Sequence, residues 1–212
     1  INSHKSISRR VYENDTRGVT MNERRGLEFE SAEFRFTDDD KRTLEGYASR
    51  FGNAYDLGRF DEVVEQGAFT RALKEEQDVR ALVDHDPARL IGRTKNGTLE
   101  MAEDKKGLFT RIYLPDTQEA RDLATLIERG DLDAMSFGFT VTEDRWEKLD
   151  GRNTRFISDV DLYDVSVVAY PANPDTSVAL RSMEAAEHEA DHRRRRFSLM
   201  LLGLRQNTWK KL

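Results

Sequence analysis

Between Glu28 and Tyr170 the chain returns again and again to a period of two, and it rarely holds a period of 3.6. Stretches such as "EFESAEFRFT", "RTLEGYASRF", "LFTRIYLP", "MSFGFTVTEDRW" and "TRFISDVDLYDVSVVAY" alternate apolar with polar residues. That alternation turns one face of a strand to a core and the other to water. Asp-Pro, Asn-Gly and Lys-Gly pairs read as turns between strands. Asp150-Gly151 is predicted to join two strands as a hairpin, and the acidic turn from Asp38 to Asp40 to close another. Two stretches read as helix. "EVVEQGAFTRALKEE" passes from a short strand into a helix near Gly67. "DTQEARDLATLIERGD" opens on an Asp cap, sets Leu123, Leu126 and Ile127 at helical spacing and stops at Gly130. The pattern predicts an α+β domain on an antiparallel sheet or small barrel.

The two ends are different. Residues 1–27, opening with the polar and aperiodic "INSHKSISRRVYENDTRGVT", read as a leader or disordered arm, and 28–182 as the body. Residues 183–212 hold an acidic half, a four-arginine run and a short apolar patch. They are predicted to form a helical extension that packs on the body, on a second chain or on a partner. At 212 residues the chain suits one domain with appendages. Thirty-four basic against forty acidic residues, a net charge of -6, argue against nucleic acid as the main partner. The absence of cysteine removes disulfides, thiol nucleophiles and cysteine zinc sites. No apolar run approaches the roughly 20 residues that span a bilayer. A soluble protein of a reducing cytoplasm, with no membrane partner, is expected.

Three residues stand out as carriers of chemistry. Of four histidines, His4, His188 and His192 fall in the leader or tail, so His85 is the body's candidate acid or base. In "VRALVDHDP" it reads as a strand residue in parity with Val79, Ala81 and Val83; the plainer reading ties it to Asp84 or Asp86 at the core edge. Ser136 shares a strand face with Gly138 and Thr140, opposite Met135, Phe137, Phe139 and Val141. Gly138 would leave room for a substrate backbone, although a serine at a helix-to-strand junction is also commonplace. The even positions read Val160, Leu162, Asp164, Ser166, Val168 and Tyr170, so Asp164 interrupts an apolar stripe, where a carboxylate costs several kcal/mol unless partnered. A histidine N–H, an arginine or the backbone would each serve as the partner, and Asp161 is the reserve. "GNAYDLGRF" lacks the lysine and following helix of a phosphate loop, and no metal motif is recognisable.

"VVEQGAFTRAL", "LVDHDPARLIGRT", "GDLDAMSFGF" and "LYDVSVVAYPANP" occur in an order that resembles the prohead (capsid maturation) proteases of tailed bacteriophages and prophages, distant relatives of the herpesvirus assemblins. The resemblance covers approximately residues 28 to 182. It implies a small, mostly antiparallel β-barrel wrapped by helices and a serine endopeptidase without metal or cofactor. Ser136 would be the nucleophile, His85 the general base and Asp164 the acid that orients it, at the place of a second histidine in the herpesviral proteins. Major capsid and scaffold proteins, and the protease itself, would be substrates inside an assembling procapsid in the host cytoplasm. Self-association, as a dimer or larger, is implied as well. Herpesviral relatives carry an arginine pair for the oxyanion where this chain reads "PANP". Backbone N–H groups, Asn173 or Arg93 would have to replace it. The tail after Ser182 matches no motif of the family. A non-catalytic scaffold that keeps the fold is the alternative, and its mark would be identical intact masses for wild type and Ser136→Ala. A carboxylate-based hydrolase is the third reading.

Overall fold

The computed structural model describes residues 23–27, 33, 35–37, 39, 41–170, 183–184, 188 and 191–196. Eleven strands and two α-helices make up most of them. The longest strands, β10 (Ala134–Leu149) and β11 (Arg152–Val168), are the alternating stretches near the end of the body. Asp150 and Gly151 join them with φ of 49° and 87°, the positive pair that a two-residue type I′ turn demands. Around this hairpin stands a seven-stranded sheet in the order β1-β10-β11-β5-β4, with β6 paired to β11 and β7 to β6. Its other members are β1 (Glu23–Leu27), β4 (Ala54–Asp56), β5 (Asp61–Val64), β6 (Arg80–Val83) and β7 (Asp86–Arg93). Strands β2 (Arg35–Phe36), β3 (Thr43–Arg50), β8 (Leu99–Glu103) and β9 (Gly107–Tyr113) form a second sheet, β2-β3-β9-β8. The hairpin expected across the acidic turn is present in its described portion, where Phe36 pairs with Leu44; residues 28–32 lie outside the described residues.

One core joins the sheets. Leu44, Leu99, Leu108 and Ile112 from the smaller sheet meet Phe137, Phe139, Val165 and Val167 from the larger. Helix α1 (Thr70–Lys74) adds Ala72, and α2 (Gln118–Arg129) adds Leu123 and Ile127. Thr117, not Asp116, caps α2 by accepting from the Ala120 N–H, and Gly130 ends it in the left-handed region as expected.

Two expectations change. Both strand orders have open ends, so there is no closed barrel among the described residues, and α1 and α2 do not wrap the sheets. Each sheet hides its apolar face against the other instead of against itself, and β11 also takes parallel partners, β5 and β6. The supposed arm also loses its last residues, because Glu23–Leu27 are the edge strand of the larger sheet. Met183 packs against Leu57 and Phe60, and residues 191–196 are helical. Apart from residues 184 and 188, the rest of the tail lies outside the described residues.

Candidate active site

His85 reaches its place through a turn. Val83 pairs with Asp86, which leaves Asp84 and His85 as a two-residue connection with φ of 52° and 56°. Asp and His are among the few non-glycine residues that accept the left-handed region readily. The strand parity expected for His85 is therefore wrong: β6 stops at Val83, and the Asp-Pro pair read as a turn is instead the exposed start of β7. The turn is pinned to the end of β11. Asp84 N–H donates to the Val167 carbonyl (2.9 Å), and the Ala169 N–H donates to Asp84 Oδ1 (3.2 Å).

Asp164 reaches the site through a bulge. Along the hairpin Phe137 faces Val165 and Gly138 faces Asp164, but Phe139 faces Leu162, so Tyr163 is the extra residue. The bulge inverts parity. Val160 and Leu162 point into the core before it, and Val165 and Val167 do so after it. Asp164 and Ser166 thus share the face of Ser136 and Gly138. Asp164 therefore does not break a core stripe, contrary to the expectation that singled it out, although it does meet the histidine.

The three side chains are contiguous. His85 Nδ1 lies 2.6 Å from Asp164 Oδ1 and Nε2 lies 2.7 Å from Ser136 Oγ. A carboxylate beside Nδ1 keeps the proton there, which leaves Nε2 to accept from a hydroxyl. Ser166 was missed by sequence reasoning. Its hydroxyl donates to Asp164 Oδ1 (2.7 Å) and sits 3.3 Å from His85 Nδ1. The alternation Asp164-x-Ser166 was its only signal in the sequence. Gly138 serves the carboxylate: a Cβ there would collide with Asp164 Oδ2. The room expected for a substrate backbone is taken by Asp164 itself.

Ser136 is completely buried. Strand β1 runs antiparallel to β10 above it, Gly26 opposite Ser136 and Arg25 opposite Phe137. The Arg25 carbonyl is 2.8 Å from Ser136 Oγ. One hydroxyl proton therefore has two acceptors, His85 Nε2 and the Arg25 carbonyl. The Arg25 side chain runs into a buried ionic group. Its guanidinium donates to Glu62 Oε2 (2.8 Å) and to Glu23 Oε2 (2.7 Å), while Arg155 Nη1 bonds both Glu23 (3.1 Å) and Glu62 (3.2 Å). Burial opposes the Arg25 charge, but Glu62 and then Glu23 outweigh it, so its pKa is raised.

The remaining candidates sit elsewhere. Asp161 bonds Arg71 Nη2 (2.8 Å) and Gln77 Nε2 (2.8 Å), and the Arg71 guanidinium, followed by Gln77, holds its carboxyl below the usual range. Arg93 is bound to Asp78 (2.7 Å). Asn173 lies outside the described residues.

Comparison with known proteins identifies the family. Residues 27–190 match the model of the Caudovirus prohead serine protease family. The prohead protease of Enterobacteria phage HK97 is 33% identical over 167 residues, covering 76% of this chain and 70% of the relative. That of Escherichia phage T5 is 28% identical over 108 residues, 50% of this chain and 48% of the relative. The bacteriophage T4 capsid assembly protease aligns over 59% of this chain and 80% of its own, with a TM-score of 0.41 at 13% identity. The chain belongs to the Caudovirus prohead serine protease family.

Proposed function

We propose that this protein is a serine endopeptidase that cuts capsid and scaffold proteins during prohead maturation, with Ser136, His85 and Asp164 as a nucleophile–base–acid triad. The observation that carries the reading is the imidazole of His85, in hydrogen-bond contact with a serine on one nitrogen and a carboxylate on the other, in a chain of this family. Nε2 takes the Ser136 proton as Oγ attacks the peptide carbonyl, and the same proton then goes to the leaving amine. Asp164 fixes the Nδ1–H tautomer and stabilises the imidazolium. Ser166 donates to the same Asp164 oxygen that meets His85 and so helps to hold it in place. Action inside the assembling procapsid, in the host cytoplasm, and self-association follow from the same reading. Confinement in a shell raises effective concentration and favours both.

The test is co-expression of wild type or Ser136→Ala with the capsid and scaffold proteins of the same phage, followed by intact mass spectrometry. The reading expects truncated partners with wild type alone. Full-length partners in both would leave a scaffold that keeps the protease fold.

A further inference from the structure

Strand β1 lies where a peptide to be cut would have to lie. It covers the otherwise unpaired edge of β10, in antiparallel register, over a serine in contact with an imidazole. Adding an extended peptide to a sheet edge is a common way to hold a substrate backbone. The residue whose carbonyl meets Ser136 Oγ is Arg25, and its side chain is the largest among those fully buried.

What Arg25 fills is a built pocket. Glu62, from β5, is 0% exposed and has two cationic partners, Arg25 and Arg155. Without Arg25, Glu62 keeps one of them. A buried carboxylate that loses a partner is costly, so an incoming strand is favoured if it brings a cation to that point. The Arg25 fork meets Glu62 through Nε and Nη2 together, a geometry that arginine offers and lysine does not. Arg155 does the converse at the position two residues upstream, where it takes the Glu23 carboxylate.

We propose that Glu62 and Arg155 set the cleavage specificity of this protease for strands reading Glu-x-Arg, cut after the arginine, and that Glu23-Arg24-Arg25 is the chain's own copy of that sequence. The inference rests on the serine-protease reading above. In cis, Ser136 Oγ bonds to the Arg25 carbonyl carbon as its proton moves to His85 Nε2. The C–N bond to Gly26 breaks and the proton passes to the Gly26 nitrogen. Water, deprotonated by His85, then hydrolyses the ester, leaving a carboxylate on Arg25 and restoring the Ser136 hydroxyl. Until that strand is cut or displaced, it excludes other substrates.

Two measurements separate this inference from the reading beneath it. The first needs no catalysis. A fluorescein-labelled peptide with the sequence of residues 21–28 is titrated by anisotropy into full-length Ser136→Ala, with and without Arg25→Glu to loosen β1. At least tenfold tighter binding is expected with Arg25→Glu. At least tenfold weaker binding is expected for a peptide whose second arginine is glutamine, and adding Glu62→Gln should erase that preference. Equal or absent binding of the two peptides, a comparison that needs no further change in the protein, overturns the inference, as does a preference that survives Glu62→Gln. The second measurement is intact mass of the wild type, where cleavage between Arg25 and Gly26 should fall at least 100-fold in Arg25→Gln. Cutting of capsid proteins without preference for arginine sinks the specificity and leaves the protease. Arginine-dependent binding with no cutting of any partner sinks the protease and leaves the cleft.

Discussion

Two buried polar networks share the larger sheet, and they are made of opposite materials. The group around His85 holds one carboxylate, two hydroxyls and an imidazole, all joined by bonds that a proton can cross. The group around Glu62 sets the guanidinium groups of Arg25 and Arg155 against the side chains of Glu62 and Glu23, each no more than 3% exposed. A guanidinium does not give up its proton in a protein. The second network's two guanidinium groups can therefore hold a strand or release it, but do not pass protons. The first can move a proton and contributes little to holding anything. The two networks are thus separate in kind, yet β1 touches both: its Arg25 carbonyl meets the hydroxyl and its Arg25 side chain meets the ions.

The contrast is sharpest in activity. Ser136→Ala or His85→Ala should each lower kcat/KM by roughly 10⁴-fold or more, with the double variant no worse than either. Asp164→Asn should cost less, about 10² to 10³-fold. Peptide hydrolysis assays check all of these. Ser136→Ala should lose only about 1 kcal/mol of stability, as one buried hydrogen-bonding group is removed. Glu62→Leu should cost the fold far more than the serine change does. Breaking a buried ionic group costs about 3–5 kcal/mol of stability in urea unfolding. Equal stability losses for the two variants would erase the distinction between the networks. Gly138→Ala tests the join between backbone and relay: its methyl group meets Asp164 Oδ2, so kcat should fall about 10 to 100-fold while the thermal midpoint changes by a few degrees.

The smallest effect lies outside both networks. Arg71 lowers the Asp161 pKa, so this pair stabilises the fold above the unfolded carboxyl's value of 3.8, and the contribution is lost as pH falls through the folded value below it. Both side chains are about one-third exposed, which limits the effect to roughly 0.3–1 kcal/mol. Arg71→Ala should therefore be less stable than wild type at pH 7 and nearly equal to it at about pH 2, by chemical unfolding.

Much of the architecture was legible because it is local. The alternation of β10 and β11, the Asp150-Gly151 turn and the span of α2 all follow from neighbouring residues. The helix cap was misread by one residue because Asp116 and Thr117 both have capping chemistry, and geometry decides between them. His85 was read as belonging to a strand because its turn contains neither Gly nor Asn. The Tyr163 bulge was invisible since no residue type announces it, and it reversed the facing of everything beyond it in β11. The ionic group was beyond reach for another reason. Glu23, Arg25, Glu62 and Arg155 look like ordinary surface charges until three distant strands are brought together. Closure into a barrel was inferred by resemblance, and nothing in the alternation itself distinguishes a sheet that closes from two sheets that pack.

The bond between His85 and Asp164 spans 79 residues, and that between His85 and Ser136 spans 51. The carboxylate lies four residues from the end of the last described strand of the body, beside a β6 that pairs with β11 in parallel. During synthesis the hydroxyl and the imidazole emerge first and wait for the acid. A ribosome-bound chain cannot bring these three side chains together before β11 has been made and docked, so their contact is among the last that synthesis of the body permits.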